Sequence, residues 1–266
     1  MSVQATTILI DPGHGGDDLG AVSSFMEREK DTQKDNQNSK KLGRVYYIEK
    51  ELALEFAKKI YKELEKKYSV YMTRSFDNTI SLDERAQMAE KVKADLFLSI
   101  HMNSSAKSSS QGFEIYYLDN HNDVAVRKVE NVENRRISGS GSGGDIVNDS
   151  AFTDPIVHKI LIDLIVERTV ISSRKLAFEI HDELKSKISY KYNFKDRKVL
   201  AGVFYVLALS KCPAVLLEVG FISNHNEAMK LKGENFQKEY AKAVASAIDR
   251  YLKIADSGKL GFVSNQ

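Results

Sequence analysis

Four side chains in this sequence could share one piece of chemistry: His14, Glu49, His101 and Glu218. His14 lies in Asp11-Pro12-Gly13-His14-Gly15-Gly16, just past the apolar run Thr7-Ile8-Leu9-Ile10, and His101 follows Asp95-Leu96-Phe97-Leu98-Ser99-Ile100 in the same way. Glu218 ends Ala214-Val215-Leu216-Leu217, and Glu49 opens a segment of helical periodicity. Short apolar runs that stop at glycine or polar residues read as buried strands delivering loops. Ligand sites of open α/β sheets lie beyond the carboxyl ends of such strands, so all four side chains are placed to face one sheet edge.

Two imidazoles and a carboxylate with an open fourth position form a catalytic zinc set, in which the pKa of bound water falls to about 7. A spare carboxylate beside that set can take the water's proton and hand it to a leaving group, and Glu218 is placed for that work. The four residues are dispersed and lack an H-E-x-x-H type of spacing, so spacing alone leaves loop or capping roles open for each histidine. His121, His158, His181 and His225 stand in polar or helical surroundings and are assigned no metal role. No Gly-Lys-Ser/Thr follows the Gly13–Gly16 loop, which argues against a phosphate cradle.

The elements that must position these residues follow from periodicity. Strands are expected at Thr7–Ile10, Tyr68–Thr73, Asp95–Ile100, Gly112–Leu118, Phe204–Leu209 and Ala214–Val219. Helices are expected from Glu51, with Ala53, Phe56, Ala57, Ile60 and Leu64 on one face, at Ser81–Lys93, and around Phe236–Leu252. The polar stretch Ser23–Lys41 reads as an exposed loop. This alternation predicts an α/β layer fold with a largely parallel sheet. Residues 119–187 exceed what the sheet requires. They begin with helix-like sequence, pass through the Ser/Gly linker Ser138–Gly144, and continue into helices from Asp154 and over Ser172–Ser186.

With 266 residues, 42% of them hydrophobic and 29% charged, the chain is long enough for one domain with a substantial core. Its net charge of +2 gives no strong preference for nucleic acid or a membrane surface. The single cysteine, Cys212, has no internal disulfide partner and reads as a packed side chain. No apolar run approaches the roughly 18 residues that span a bilayer, and Met1–Ala5 leads almost directly into a strand, so no export signal is expected within this sequence.

Taken in order, Ile8–Gly16, Glu49-Lys50, Ser99-Ile100-His101-Met102-Asn103 and Leu217–Asn224 resemble the zinc N-acetylmuramoyl-L-alanine amidases of the Amidase_3 type. Thr73-Arg74, Leu82 with Arg85, and Ala94–Phe97 support the match, which covers nearly the whole chain. The resemblance implies a single catalytic domain over 1–266, with a twisted, mostly parallel six-stranded sheet between helices, as in phosphorylase/hydrolase-like folds. It implies one Zn2+ held by His14, Glu49 and His101, Glu218 as the catalytic carboxylate, and a peptidoglycan or muropeptide substrate in the periplasm or cell envelope. The envelope-targeting domain that many such amidases carry before the catalytic part is not in this sequence.

The stretch from Val129 to Leu164 is similar to the longer insert of the cell-division amidases of Gram-negative bacteria. That similarity implies a helical regulatory insert within 119–187 that covers the zinc site until a LytM-domain activator displaces it. Asp163 and Glu167 are the candidate occluding carboxylates. Two other activities use the same residues: a zinc peptidase acting within the stem peptide, and a peptidoglycan-binding module without catalysis.

Overall fold

Apolar residues every second position on strands, and every third or fourth on helices, sort this chain into layers. The computed structural model describes residues 6–28, 42–119, 124–134 and 155–257, with 124–125, 155–168 and 256 described by backbone alone. The strands are β1 (Thr7–Pro12), β2 (Val22–Arg28), β3 (Leu42–Ile48), β4 (Ser69–Met72), β5 (Leu96–Asn103), β6 (Phe113–Leu118), β7 (Asp196–Gly202) and β8 (Ala214–Phe221). The helices are α1 (Glu49–Leu64), α2 (Leu82–Val92), α3 (Val124–Asn134), α4 (Pro155–Leu184), α5 (Tyr190–Tyr192), α6 (Tyr205–Leu209), α7 (His225–Leu231) and α8 (Glu234–Asp256).

Six strands form one sheet in the order β4-β1-β5-β8-β6-β7, and β2 pairs with β3 as a separate hairpin. Strands β4, β1, β5 and β8 run parallel, β6 is antiparallel to β8, and β7 is parallel to β6. The mostly parallel six-stranded α/β sheet expected from the sequence is therefore present. Alternation splits the core: Ile8, Ile10, Leu98, Ile100, Val215 and Leu217 pack with Phe56, Ile60, Leu176, Ile180, Tyr240 and Val244 of α1, α4 and α8. Leu9, Phe97, Tyr116 and Leu216 face the other way, onto Ala89 of α2 and Leu207 of α6.

Three elements differ from the sequence reading. Phe204–Leu209 is not a strand: Tyr205–Leu209 is a short helix, and the sixth strand is the more polar Asp196–Gly202. A short apolar run fits a buried strand and a buried helical turn equally well, and here burial under the sheet face favoured the turn. The Ser23–Lys41 loop is instead largely bracketed by a hairpin, Val22–Arg28 against Leu42–Ile48, with residues 29–41 outside the described residues. The helices expected from Asp154 and from Ser172 are one, Pro155–Leu184, which continues into a π-helical turn at Lys185–Ser189.

One buried polar network fixes the β1 end that carries the first histidine. The wholly buried Asp11 accepts hydrogen bonds from Thr73 Oγ1 at 2.7 Å, from Ser99 Oγ at 2.9 Å and from the Arg85 guanidinium. Arg85 also donates to the carbonyls of Pro12 and His14, both at 2.8 Å. Arg74 donates to those of Pro12 (3.1 Å), Gly13 (2.7 Å) and Lys50 (2.8 Å). Two guanidiniums thus hold three consecutive carbonyls of the His14 loop.

Burial by itself would raise the Asp11 pKa, but Arg85 and Thr73 overcome it and hold the carboxyl below its ordinary value. A depressed carboxyl stabilises the fold fully above the unfolded value, about pH 4, and less as pH falls through its folded value. Asp11→Asn leaves Arg85 buried without its counter-charge and should cost about 3–5 kcal/mol in urea unfolding at pH 7. The deficit should shrink on acidification; a pH-independent deficit would contradict the charge pairing.

Candidate metal centre

The parallel register carries the site. Asp11 and Pro12 of β1 pair with Ser99 and Ile100 of β5, so His14 and His101 both emerge beyond this pairing. His101 in turn pairs with Glu218 of β8. His14 takes a left-handed backbone (φ 60°) that turns its ring over the sheet edge. Gly13 is required below it, since a Cβ there would lie 2.4 Å from His101 Cε1. Gly20, at φ 69°, lets the following loop cross Glu49, whose Oε2 would meet a Cβ at 2.6 Å. The hairpin then returns the chain to α1, where Glu49 N–H donates to Ala21 O at 2.9 Å and Ala21 N–H donates to Glu49 Oε2 at 2.7 Å.

The structure brings His14, Glu49 and His101 together as the sequence predicts. His14 Nε2 lies 2.7 Å from Glu49 Oε1, and His101 Nδ1 lies 3.2 Å from the same oxygen and 3.1 Å from His14 Nε2. A fourth member was not foreseen: Glu133 of α3, whose Oε2 is 2.9 Å from His101 Nδ1 and 3.6 Å from His14 Nε2. One ligand atom from each of the four lies within 4.8 Å of the others. Tetrahedral N and O ligands around zinc stand about 3.3 Å from one another, so these spacings suit a divalent ion. His14 Nδ1 is 3.0 Å from Asp18 Oδ2, the outer carboxylate contact that usually orients a ligating imidazole.

Glu218 sits beside this group, buried, and its Oε2 has no hydrogen-bond partner among the described residues. Burial first, and Glu133 second, raise its pKa well above the carboxylate range. Burial would also raise Glu49, but the two imidazoles hold it well below its ordinary value. For His101 burial opposes the charge, yet Glu133 and Glu49 raise its pKa well above the usual imidazole value. A cluster in which the carboxylates lift the imidazoles and repel one another asks for a cation at its centre.

Asp163 and Glu167 fall on the backbone of α4, but their side chains lie outside the described residues. Among the described residues the carboxylate that reaches the two imidazoles from a helix of the 119–187 segment is Glu133. Its signal in the sequence is faint: Val126 and Val129, three apart, mark the packed face of α3, and Glu130 and Glu133 repeat that spacing beside it. His181 and His225 stand away from the centre, pairing with Asp196 at 2.8 Å and Glu27 at 3.1 Å. Cys212 is buried and burial pushes its thiol up to about 12, as fits a packed, unreactive side chain.

The sequence pattern of the N-acetylmuramoyl-L-alanine amidases matches residues 8–250. The chain belongs to this amidase family. It is 30% identical over 248 residues to N-acetylmuramoyl-L-alanine amidase AmiC of Escherichia coli O6:H1, covering 92% of this chain and 52% of that protein. It is 28% identical over 252 residues to LytC of Bacillus subtilis, covering 94% and 36% respectively. This chain therefore spans about half, or less, of the length of these relatives. Among solved structures, the amidase catalytic domain of CwlV from Paenibacillus polymyxa aligns with 27% identity and a TM-score of 0.56, covering 94% of this chain and 99% of that one. An amidase from Clostridium difficile 630 shares the fold with a TM-score of 0.61 at 24% identity, covering 94% and 98%.

If the four side chains hold an ion, this amidase-family chain should bind one divalent ion per molecule in equilibrium dialysis. His14→Ala and His101→Ala should each abolish that binding, and Glu218→Gln should retain it. Equal metal content in all three variants would remove His14 and His101 as ligands.

Proposed function

We propose that this chain is a zinc-dependent N-acetylmuramoyl-L-alanine amidase of the cell envelope, resting in a closed state. The observation that supports it most is the meeting of His14, Glu49 and His101 with an unpartnered, buried Glu218 at one strand end. His14 Nε2, Glu49 Oε1 and His101 Nδ1 would hold the ion. When bound, zinc supplies Lewis acidity, which polarises an amide carbonyl and makes water ionisable near neutral pH.

The protein's own groups do the rest. Met102 N–H donates to Glu49 Oε1 at 3.0 Å and Ala21 N–H holds Oε2, so the carboxylate cannot swing away. Asp18 fixes the His14 ring, and Asp11 with its arginines fixes the loop beneath. Glu218 takes the proton of the attacking water and returns it to the departing L-alanine nitrogen, and its raised pKa suits a group that must hold a proton between those steps. The substrate class is peptidoglycan or its muropeptides. Mass analysis of products decides the bond: free lactyl-ended glycans and peptides starting at L-alanine fit the amidase, cuts inside the stem fit a peptidase, and sacculus binding without products fits a non-catalytic module.

Closure follows from Glu133. Catalytic zinc sites keep one position open, and here a fourth side chain, the second carboxylate of the group, would fill it. His14, Glu49, His101 and Glu218 are all buried, which leaves no room for a glycan-linked peptide. Among the contacts that hold helix α3, Asn134 Nδ2 donates to Val203 O at 2.7 Å, Tyr205 N–H donates to Asn134 Oδ1 at 3.0 Å, Val203 N–H donates to Glu130, and Val126 and Val129 pack inward. Release of α3 by a partner, for which a LytM-domain activator is the candidate, would free the site for hydrolysis in wall remodelling or daughter-cell separation.

Glu133→Ala should raise basal release of peptide from purified sacculi at least about tenfold without activator, taking the loss of one charged contact as roughly 1.5 kcal/mol. An unchanged basal rate in a variant that still cleaves would remove Glu133 as the cover. Glu218→Gln should lose turnover by about two to four orders of magnitude while keeping its metal.

A further inference from the structure

Beyond Glu218 the row of polar side chains continues. Glu218 pairs across the sheet with His101 on one side and with Glu114 of β6 on the other. Alternation puts all three on the sheet face shared by Leu216 and Tyr116. Glu114 is buried and fully engaged: Asn103 Nδ2 and Tyr116 Oη donate to its Oε2, each at 2.8 Å, and Arg197 Nε donates to Oε1 at 2.5 Å. Arg197 is the last member of the row, on the outermost strand β7.

Its presence there needs a local distortion. Leu200 of β7 packs on the same face as Tyr116, and Val199 packs on the opposite one. Counting back by twos from Leu200, regular alternation would turn Arg197 to the opposite face. Instead the β6–β7 register shifts between Phe113 and Ile115, and Lys198 adopts φ 94°, a conformation rare for a residue with a side chain. Lys198 N–H donates to Asp196 Oδ1 at 3.0 Å to hold that turn. Bulges of this kind re-aim a side chain beside active sites, and retained backbone strain points to function.

The aimed guanidinium is then only half used. Its Cζ lies 5.0 Å from the Phe221 ring centroid and its Nε serves Glu114, while its terminal nitrogens have no protein acceptor among the described residues. The side chain is 33% exposed. A planar donor fork, gripped at its stem and open at its tip, is suited to a carboxylate.

We propose that Arg197 binds a carboxylate of the peptide on the leaving side of the scissile amide. This rests on the amidase reading above. The metal ligands lie on one side of Glu218 and Arg197 on the other, so a leaving nitrogen protonated by Glu218 starts a peptide directed along the row. Two strand spacings, about 10 Å, separate the β8 and β7 backbones. L-alanine and the residue after it extend roughly 7 Å, and the arginine side chain reaches back over the difference. The carboxylate recognised is therefore that of the residue next to L-alanine, and a chain bearing a carboxamide there would leave the fork unpaired.

The test uses the full-length, zinc-loaded protein and two synthetic muramoyl tripeptides that differ only in carrying a carboxylate or a carboxamide on the residue after L-alanine. Both meet the same closed state, so the ratio of their kcat/KM values is independent of how much protein is open. The wild type should favour the carboxylate by about tenfold or more, mostly through KM. Arg197→Gln should bring the ratio close to one. The double variant Glu114→Gln/Arg197→Gln, which leaves no buried carboxylate unpaired, should do the same if the single one folds poorly. A ratio unchanged by either substitution overturns the assignment even where overall rates fall, because a purely structural role for Arg197 would slow both substrates alike. Cleavage of neither substrate by the wild type or by the uncovered Glu133→Ala variant overturns the amidase reading, and the assignment with it.

Discussion

Everything at this site follows from one electrostatic constraint: two imidazoles and three carboxylates crowd into one largely buried space. Burial makes each charge costly unless an opposite charge stands beside it. Glu49 meets the requirement by lying between His14 and His101, and its pKa falls accordingly. Glu133 meets it by reaching His101, whose pKa rises. Glu218 Oε2 has no hydrogen-bond partner among the described residues, and burial first, then Glu133, drives its carboxyl towards the neutral form against the pull of His101. The cluster is balanced only with protons on it or with a cation inside it, and the same imbalance suits the proton-carrying role proposed for Glu218.

Such a centre works only on a frame that cannot relax. The β1–β5–β8 register sets the spacing along the edge, and Asp11, Arg74 and Arg85 remove the freedom of the loop on which His14 rides. Buried ion pairs are poor sources of net stability compared with apolar packing, so their placement directly under the loop is better understood as positional. Glu227 has a similar task farther along, where its carboxylate accepts from Gly112 N–H at 2.6 Å and Phe221 N–H at 2.8 Å and ties the start of β6 to the end of β8.

What could be read from the sequence divides along the same line. Strands β1, β5 and β8 are buried on both faces, so they appear as unbroken apolar runs, and the polar residue that ends each run stands out. That is why His14, His101 and Glu218 were legible, and Glu49 with them at the start of a helix of clear periodicity. Strand β7 lies at the sheet edge and starts with Asp196-Arg197-Lys198, so it carries little apolar signal, while the neighbouring Phe204–Leu209 carries more and was read as the strand. Glu133 was hidden for another reason. Its role depends on where α3 docks, and docking of one short amphipathic helix onto a sheet is a tertiary outcome that spacing does not encode.

The order of side chains across the edge also separates tasks that share one reaction. The groups proposed to hold the ion come from the end of β1, from α1 and from β5, the proposed proton carrier from β8, and the half-used guanidinium from β7 beyond it. Glu133 enters from outside this order, on a helix anchored to Val203 and Tyr205 rather than to the strand ends that hold the other groups. The contacts that orient His14 and Glu49 come from Asp18, Ala21 and Met102, Arg74 and Arg85, none of which belongs to α3, whereas the His101 ring meets Glu133 itself at 2.9 Å. In the closed state proposed above, loss of Glu133 would remove its contacts with the two imidazoles and leave the supports of His14 and Glu49 in place.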